Sequence, residues 1–206
     1  MADAKKVILV TGGSGLVGQG IRLALEEHSL KQPNEEWIFA SSKDLNLCSA
    51  DETNAFFERV NPTHVIHLAA KVGGLFANMS DNLGFFTNEP LLVLGSGSPL
   101  RQFIYSVDLG RLIIWVLRNY DNPEPIILSV PEANEISIKD AASAIVSAMG
   151  CKGLTLDPSK ADGQFKKTAS AKKLTSLNPD FNFTPFQKAI ADTCDWFSKN
   201  FDTSRK

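Results

Sequence analysis

The sequence predicts an α/β protein whose first half is a parallel sheet built by β-α-β-α-β alternation, followed by a smaller α+β lobe. Three observations carry this. A short apolar, β-branched run, Val7-Ile8-Leu9-Val10, stops at a glycine-rich turn; such a run suits a strand buried on both faces, the habit of parallel sheets. Apolar residues at helical spacing follow the turn directly, and two further strand-like runs arrive with a helix between them.

The elements follow in order. After Val7 to Val10 comes Thr11-Gly12, and from Gly15 the residues Leu16, Val17, Ile21, Leu23, Ala24 and Leu25 recur with helical period until polar residues and Pro33 end them. Trp37-Ile38-Phe39-Ala40 reads as the second strand. Ser49-Ala50-Asp51-Glu52 has the S-x-x-E form of a capping box and opens a helix through Phe56, Phe57 and Val60, which Asn61-Pro62 terminates. Val65-Ile66-His67-Leu68-Ala69-Ala70 is the third strand. This order is that of a Rossmann-type mononucleotide-binding half.

The alternation breaks between Lys71 and Pro90, where Gly73, Gly74, Asn78, Asn82, Gly84 and Asn88 fall with no sustained period. A boundary is expected near residue 88, dividing a partial cofactor domain (1–88) from a C-terminal lobe (89–206). In the lobe, Leu91 to Leu94, Gln102 to Tyr105 and Ile126 to Leu128 read as strands, with the turn Gly95-Ser96-Gly97-Ser98-Pro99 after the first. Val107 to Tyr120 reads as a helix. Another begins at Ser137-Ile138-Lys139-Asp140 and ends at Gly150, and a last one follows Thr184-Pro185, with Phe186, Ala189, Ile190, Thr193, Cys194 and Phe197 as its apolar stripe.

Composition excludes several roles. The chain has 206 residues, 43% hydrophobic and 21% charged, with a formal charge of −2, so it has no basic surplus for a phosphate backbone, and no nucleic-acid partner is expected. No apolar run approaches the roughly 20 residues that cross a bilayer, and no signal peptide opens the chain, so a cytoplasmic protein without a membrane partner is expected. The three cysteines, Cys48, Cys151 and Cys194, form no C-x-x-C pair, and His64 and His67 are poorly spaced for a shared ion; no metal is expected.

The chemistry lies in Thr11-Gly12-Gly13-Ser14-Gly15-Leu16-Val17-Gly18, with glycines 12, 15 and 18 in the dehydrogenase spacing between strand and helix. Gly12 permits the turn, Gly15 lets backbone approach phosphate, and Gly18 lets the helix pack on the sheet. The helix N-terminus offers N–H groups and partial positive charge to a pyrophosphate. At the end of the second strand an NAD site usually presents an acid to the ribose 2′-hydroxyl, whereas here stands Ser41-Ser42-Lys43, which suits a 2′-phosphate and selects NADP(H). Asp44 and Leu45-Asn46-Leu47 would border the adenine.

Together with that turn, four further segments resemble GDP-L-fucose synthase: Ser41 to Leu47, His67-Leu68-Ala69-Ala70-Lys71-Val72-Gly73-Gly74, Gly95 to Phe103 and Lys160-Ala161-Asp162-Gly163-Gln164-Phe165-Lys166-Lys167. The resemblance, which also includes Ser106 to Leu109, implies an extended short-chain dehydrogenase/reductase. Its reaction would be NADPH-dependent epimerisation and reduction of GDP-4-keto-6-deoxy-D-mannose. It implies cofactor contacts from Gly12, Gly13, Ser14, Gly15, Leu16, Val17 and Gly18, from Lys43, Asp44 and Leu45, and from Leu68, Ala69 and Ala70. It also implies contacts to a GDP-sugar from Arg101 and Asp162.

The family's reduction uses a Tyr and a Lys one helical turn apart, with a Ser beside them, and its epimerisation a Cys and a His. Tyr105 is followed four residues on by Leu109, and Tyr120 by Glu124. The catalytic positions are therefore absent, about a third of the family's chain being missing between roughly Phe86 and Glu89. With it would go the strands that floor the nicotinamide, leaving the first strand an apolar edge, and the helices of the family's homodimer interface. Three readings follow: a non-catalytic short form with weak cofactor binding, which the residues favour, an active synthase, or a module that binds only nucleotide or a partner.

Overall fold

The computed structural model describes residues 4–70 and 90–201; the sequence boundary near 88 and the proposed deletion between Phe86 and Glu89 lie outside them. Two compact units result. The first holds β1 (Lys6–Thr11), α1 (Leu16–Glu27), β2 (Glu35–Ala40), α2 (Ala50–Val60), β3 (His64–His67) and, from further along the chain, α3 (Ser106–Asn119). The second holds β4 (Leu91–Leu94), β5 (Leu100–Arg101), β6 (Ile136–Ser137), α4 (Ile138–Met149), β7 (Leu154–Asp157), α5 (Lys172–Leu177) and α6 (Phe186–Asn200).

In the first unit the three strands are parallel in the order β2-β1-β3, with Val10 set between Phe39 and Ile66. Ile8, Leu9 and Val10 are wholly buried, which explains their unbroken apolar run. Leu9, Ala40, Leu45 and Phe56 form one core cluster, with Ile38, Phe57 and Val60 against it. The α2 start is capped as the sequence suggests: Ser49 Oγ accepts from the Glu52 N–H at 3.3 Å. Asn61, left-handed at φ 45°, ends the helix.

This order corrects one expectation. β1 is the central strand and not an edge; β3 is the edge, with Val65 46% exposed. The chain crosses from β2 to the far side of β1, so the reversal of strand order that marks a cofactor crevice, at β1 and β3, is retained. β3 also ends at His67, short of the expected Ala70, because the turn after β1 closes against Leu68 and Ala69.

α3, read by sequence order as part of the C-terminal lobe, packs instead on α1 in the first unit. Two glycines allow it. A Cβ on Gly20 would lie 2.1 Å from the Ser106 carbonyl oxygen, and one on Gly110 2.5 Å from that of Gly20, so the helices meet backbone to backbone. Arg118 of α3 then reaches Glu35 of β2, whose side chain is 1% exposed, through Nη2 at 2.6 Å and Nε at 3.0 Å.

In the second unit β4 and β7 pair in parallel, β5 and β6 antiparallel, and α4 packs on α6. The α4 ends match the sequence signals: Ser137 Oγ accepts from the Asp140 N–H at 3.0 Å, and Gly150 takes φ +68°. Two expected strands are not strands. Residues 102–105 give way to β5 just before them, Phe103 turning to pack at a tilt against Phe186 with ring centroids 5.8 Å apart. Around Ile126 to Leu128 the backbone runs without a ladder after Pro123 and Pro125, and just beyond it the Val130 carbonyl accepts from the Gln102 side chain at 2.6 Å. α6 begins at Phe186 with Pro185 in the cap position.

Candidate functional site: the glycine turn

All three strand ends of the first unit converge on the turn that follows β1. Gly12 has φ +70°, and a Cβ there would stand 2.7 Å from Ala69 N and 2.8 Å from the Leu68 carbonyl carbon; conformation and space both demand glycine. A Cβ on Gly13 would meet Phe39 Cβ at 2.7 Å, while its N–H donates to the Ala40 carbonyl at 2.9 Å. The turn is thus clamped to β3 through Gly12 and to β2 through Gly13. Thr11 Oγ1 lies 2.7 Å from His67 Nδ1, a further tie across the crevice side of β1.

Gly15 differs from its neighbours. The one atom near a Cβ built on it is Gly12 O, at 3.2 Å, so this residue leaves room on its outer side for a ligand. Gly15 is also the N-cap of α1, and no side chain caps it, so the first-turn N–H groups are left for an anion. Ser14 and Leu16 beside it are exposed, Leu16 by 76%, and Val17 is half-buried. A Cβ on Gly18 would sit 2.5 Å from Gly13 O, so its missing side chain seats α1 against the turn at the end of β1, while Gly20 takes the close contact with α3.

The loop after β2 sorts into separate roles. Asp44 accepts from the Ser41 N–H at 2.9 Å and the Ser41 hydroxyl at 2.6 Å; the hydroxyl bond, then the backbone bond, hold its carboxyl below the usual range. Ser41 therefore spends its proton within the loop. Leu45, expected at the adenine, is 6% exposed and packs with Leu9, Ala40 and Phe56 in the core cluster. Lys43 is exposed and makes no ion pair among the described residues.

One residue on α1 was not singled out in the sequence. Arg22 lays its guanidinium over the Phe39 ring, Cζ 3.9 Å from the centroid, and the Phe39 ring in turn stacks with that of Trp37, two residues back on β2, with centroids 6.2 Å apart. Its Nε is buried without a partner. The signal lay in the contact between an α1 residue and a β2 residue, which periodicity does not reveal.

In the second unit the structure brings Arg101 and Asp162 into one neighbourhood. Asp162 accepts from the Ser96 N–H at 2.8 Å and the Ser96 hydroxyl at 2.5 Å. These bonds, the hydroxyl's first, depress its pKa, with the Gly97 N–H adding to them. Its carboxylate is thus occupied in holding the turn where Gly95 (φ +90°) and Gly97 (φ +72°) reverse the chain. Arg101 donates from Nη1 to the Leu100 carbonyl at 2.6 Å, and its Nη2 lies 3.9 Å from where a Gly163 Cβ would be. Leu100 N–H also donates to the Phe165 carbonyl at 2.8 Å, so the two segments run side by side. Lys166 is held by Glu132 at 2.5 Å and Glu135 at 3.0 Å, which raise its pKa.

Among the described residues no group of three His, Cys, Asp or Glu could hold a metal ion, and no helix is long and apolar enough to cross a membrane. The model of the NAD dependent epimerase/dehydratase family matches residues 8–89 and 85–130. The GDP-L-fucose synthase of Dictyostelium discoideum is 34% identical over 317 aligned positions, spanning 98% of each chain, and a probable GDP-L-fucose synthase of Drosophila melanogaster is 33% identical over 322, spanning 98% of this chain and 100% of its own. With 206 residues to fill 317 positions, about a third of that alignment faces a gap in this chain. A GDP-L-fucose synthetase from Naegleria fowleri, bound to NADP, superposes with a TM-score of 0.85 at 30% identity, covering 98% of this chain and 95% of the other. This chain therefore belongs to the NAD dependent epimerase/dehydratase family, and within it is a GDP-L-fucose synthase-like protein.

Proposed function

We propose that this chain is a non-catalytic short form of GDP-L-fucose synthase that binds the adenosine diphosphate half of NADP(H) in its first unit and offers a GDP-sugar contact at Arg101. The carrying observation is a turn complete for phosphate beside an inventory empty of the reduction machinery. Gly12, Gly13 and Gly18 have their Cβ positions filled by backbone or strand, Gly15 is open, and α1 is uncapped, whereas neither tyrosine has a lysine four residues on. Bound NADPH would supply hydride; this chain's own residues would supply the phosphate cradle and no proton relay.

Two findings support an internal loss as the cause. The family match breaks into two pieces that meet at residues 85–89, and the relatives' alignments carry about a third of their positions opposite a gap. In the first unit the described sheet stops at β3, so the nicotinamide would find little to rest on and binding should be weak. In the second unit Arg101 would meet the diphosphate and Asp162 would act by holding the Gly95–Pro99 turn.

Calorimetric titration with NADP, NAD and GDP, paired with a turnover assay, tests this reading. NADP and GDP binding without NADPH consumption is expected; failure of both nucleotides to bind would remove the binding role altogether.

A further inference from the structure

We propose that Arg22 reads a phosphate on the 2′ position of the bound adenosine ribose and is the residue that sets the preference for a 2′-phosphorylated nucleotide. The inference rests on the cofactor-site reading above. Arg22 stands one turn beyond Gly18 on α1, and helix side chains lean toward the N-terminus, so it leans back toward the phosphate turn. It lies on Phe39, the next-to-last residue of β2, whose Cβ is the atom that a Cβ on Gly13 would strike. Turn, strand end and guanidinium are consecutive in space, and the end of this strand is where a Rossmann-type site meets the ribose 2′ substituent.

The charge is also uncompensated. Among the described residues Arg22 makes no ion pair, in contrast to Arg111 with Asp108 and Arg118 with Glu35. Its Nε–H is buried and unbonded, a state that costs free energy unless something answers it. Stacking on the Phe39 ring fixes the plane of the fork, so little conformational entropy is lost when it grips an oxyanion. Lys43, exposed on a flexible stem, lacks that preorganisation, and Ser41 has committed its hydroxyl to Asp44. A dianionic phosphate at the end of β2 would supply the countercharge that Arg22 lacks among the described residues.

The test uses two probes that differ only in the 2′-phosphate, 2′,5′-ADP and 5′-ADP, titrated by calorimetry into the full chain and into Arg22→Gln and Lys43→Ala. Arg22→Gln is expected to cut the preference for 2′,5′-ADP roughly 10- to 100-fold, the range of a charge-assisted hydrogen bond, while leaving 5′-ADP affinity unchanged. Lys43→Ala should cost no more than roughly fivefold, as an exposed contact does.

Should Arg22→Gln fail to fold, nitrogen-15 NMR of the unmodified chain decides: the Arg22 Nε–H resonance should shift with 2′,5′-ADP and stay with 5′-ADP. A preference unchanged in Arg22→Gln, or a resonance indifferent to the 2′-phosphate, would overturn the inference while leaving the cofactor site standing. Binding of neither probe by the unmodified chain would overturn both.

Discussion

Replacing Arg118 with alanine should weaken the fold by an amount that depends on pH, and the structure gives both the size and the sign. Burial by itself raises the pKa of the Glu35 carboxyl, but hydrogen bonds from Arg118 and Trp37 outweigh it and leave the group below its ordinary value. A carboxyl with a lowered folded pKa contributes stability that is present at neutral pH and lost as pH falls through that folded value. Arg118→Ala removes two hydrogen bonds to Glu35 and one to the Leu30 carbonyl, and leaves a charge in a side chain that is 1% exposed. Removing one partner of such a pair costs about 3–5 kcal/mol.

In the variant the desolvation persists without its main counterweight, so the folded pKa should rise. A raised value places the stability below the unfolded pKa, near 4.3, and loses it as pH climbs, the reverse of the unmodified chain. Urea unfolding followed by tryptophan fluorescence, with Trp37 donating to Glu35 at 3.0 Å as a local reporter, should show a gap of about 3–5 kcal/mol at pH 7 that narrows to about 1–2 kcal/mol near pH 4. A gap under about 1 kcal/mol at pH 7, or one that does not change with pH, would refute this account of how α3 is tied to β2.

Gly15→Ala should keep the fold, since Gly12 O at 3.2 Å is the one close atom, yet weaken nucleotide binding at least tenfold by calorimetry; Gly18→Ala, which would press on Gly13 O at 2.5 Å, should instead lower the melting temperature. Lys43→Ala should erode the choice of NADP over NAD modestly, read as a ratio of dissociation constants. Asp162→Ala frees the Ser96 turn and should reduce GDP affinity in the unmodified pH range, with acidification producing the same loss in the unmodified chain as the lowered Asp162 pKa is passed; GDP affinity indifferent to both would deny Asp162 a positioning role.

The parts of this protein written in local sequence were legible. The glycine turn, the Ser49 and Ser137 caps, the Asn61 and Gly150 stops and the apolar Val7 to Val10 strand each follow from residue type and spacing, the caps and stops because they are satisfied within a few residues. What local sequence could not disclose is where elements go. The crossover that puts β3 beyond β1, and the return of α3 to the first unit, depend on Gly12 against Ala69 and on Gly20 against Ser106, contacts spanning dozens of residues. The site shows the same division. The conformation of the glycine turn was readable, whereas Leu45 entered the core, Asp162 turned to Ser96 and Arg22 came to lie on Phe39 through packing that no period announces. Residues 102–105 and 126–128 had strand composition without strand partners.

Incubating the purified chain with GDP-4-keto-6-deoxy-D-mannose and NADPH in deuterated water tests the central claim most directly. A positioned acid–base group contributes about 10²–10⁴-fold, and the sequence lacks the Tyr-x-x-x-Lys pair that would supply it. The account predicts constant NADPH absorbance and no deuterium at C3 or C5 of the sugar, in a protein that still binds NADP. NADPH oxidation yielding GDP-L-fucose would contradict it.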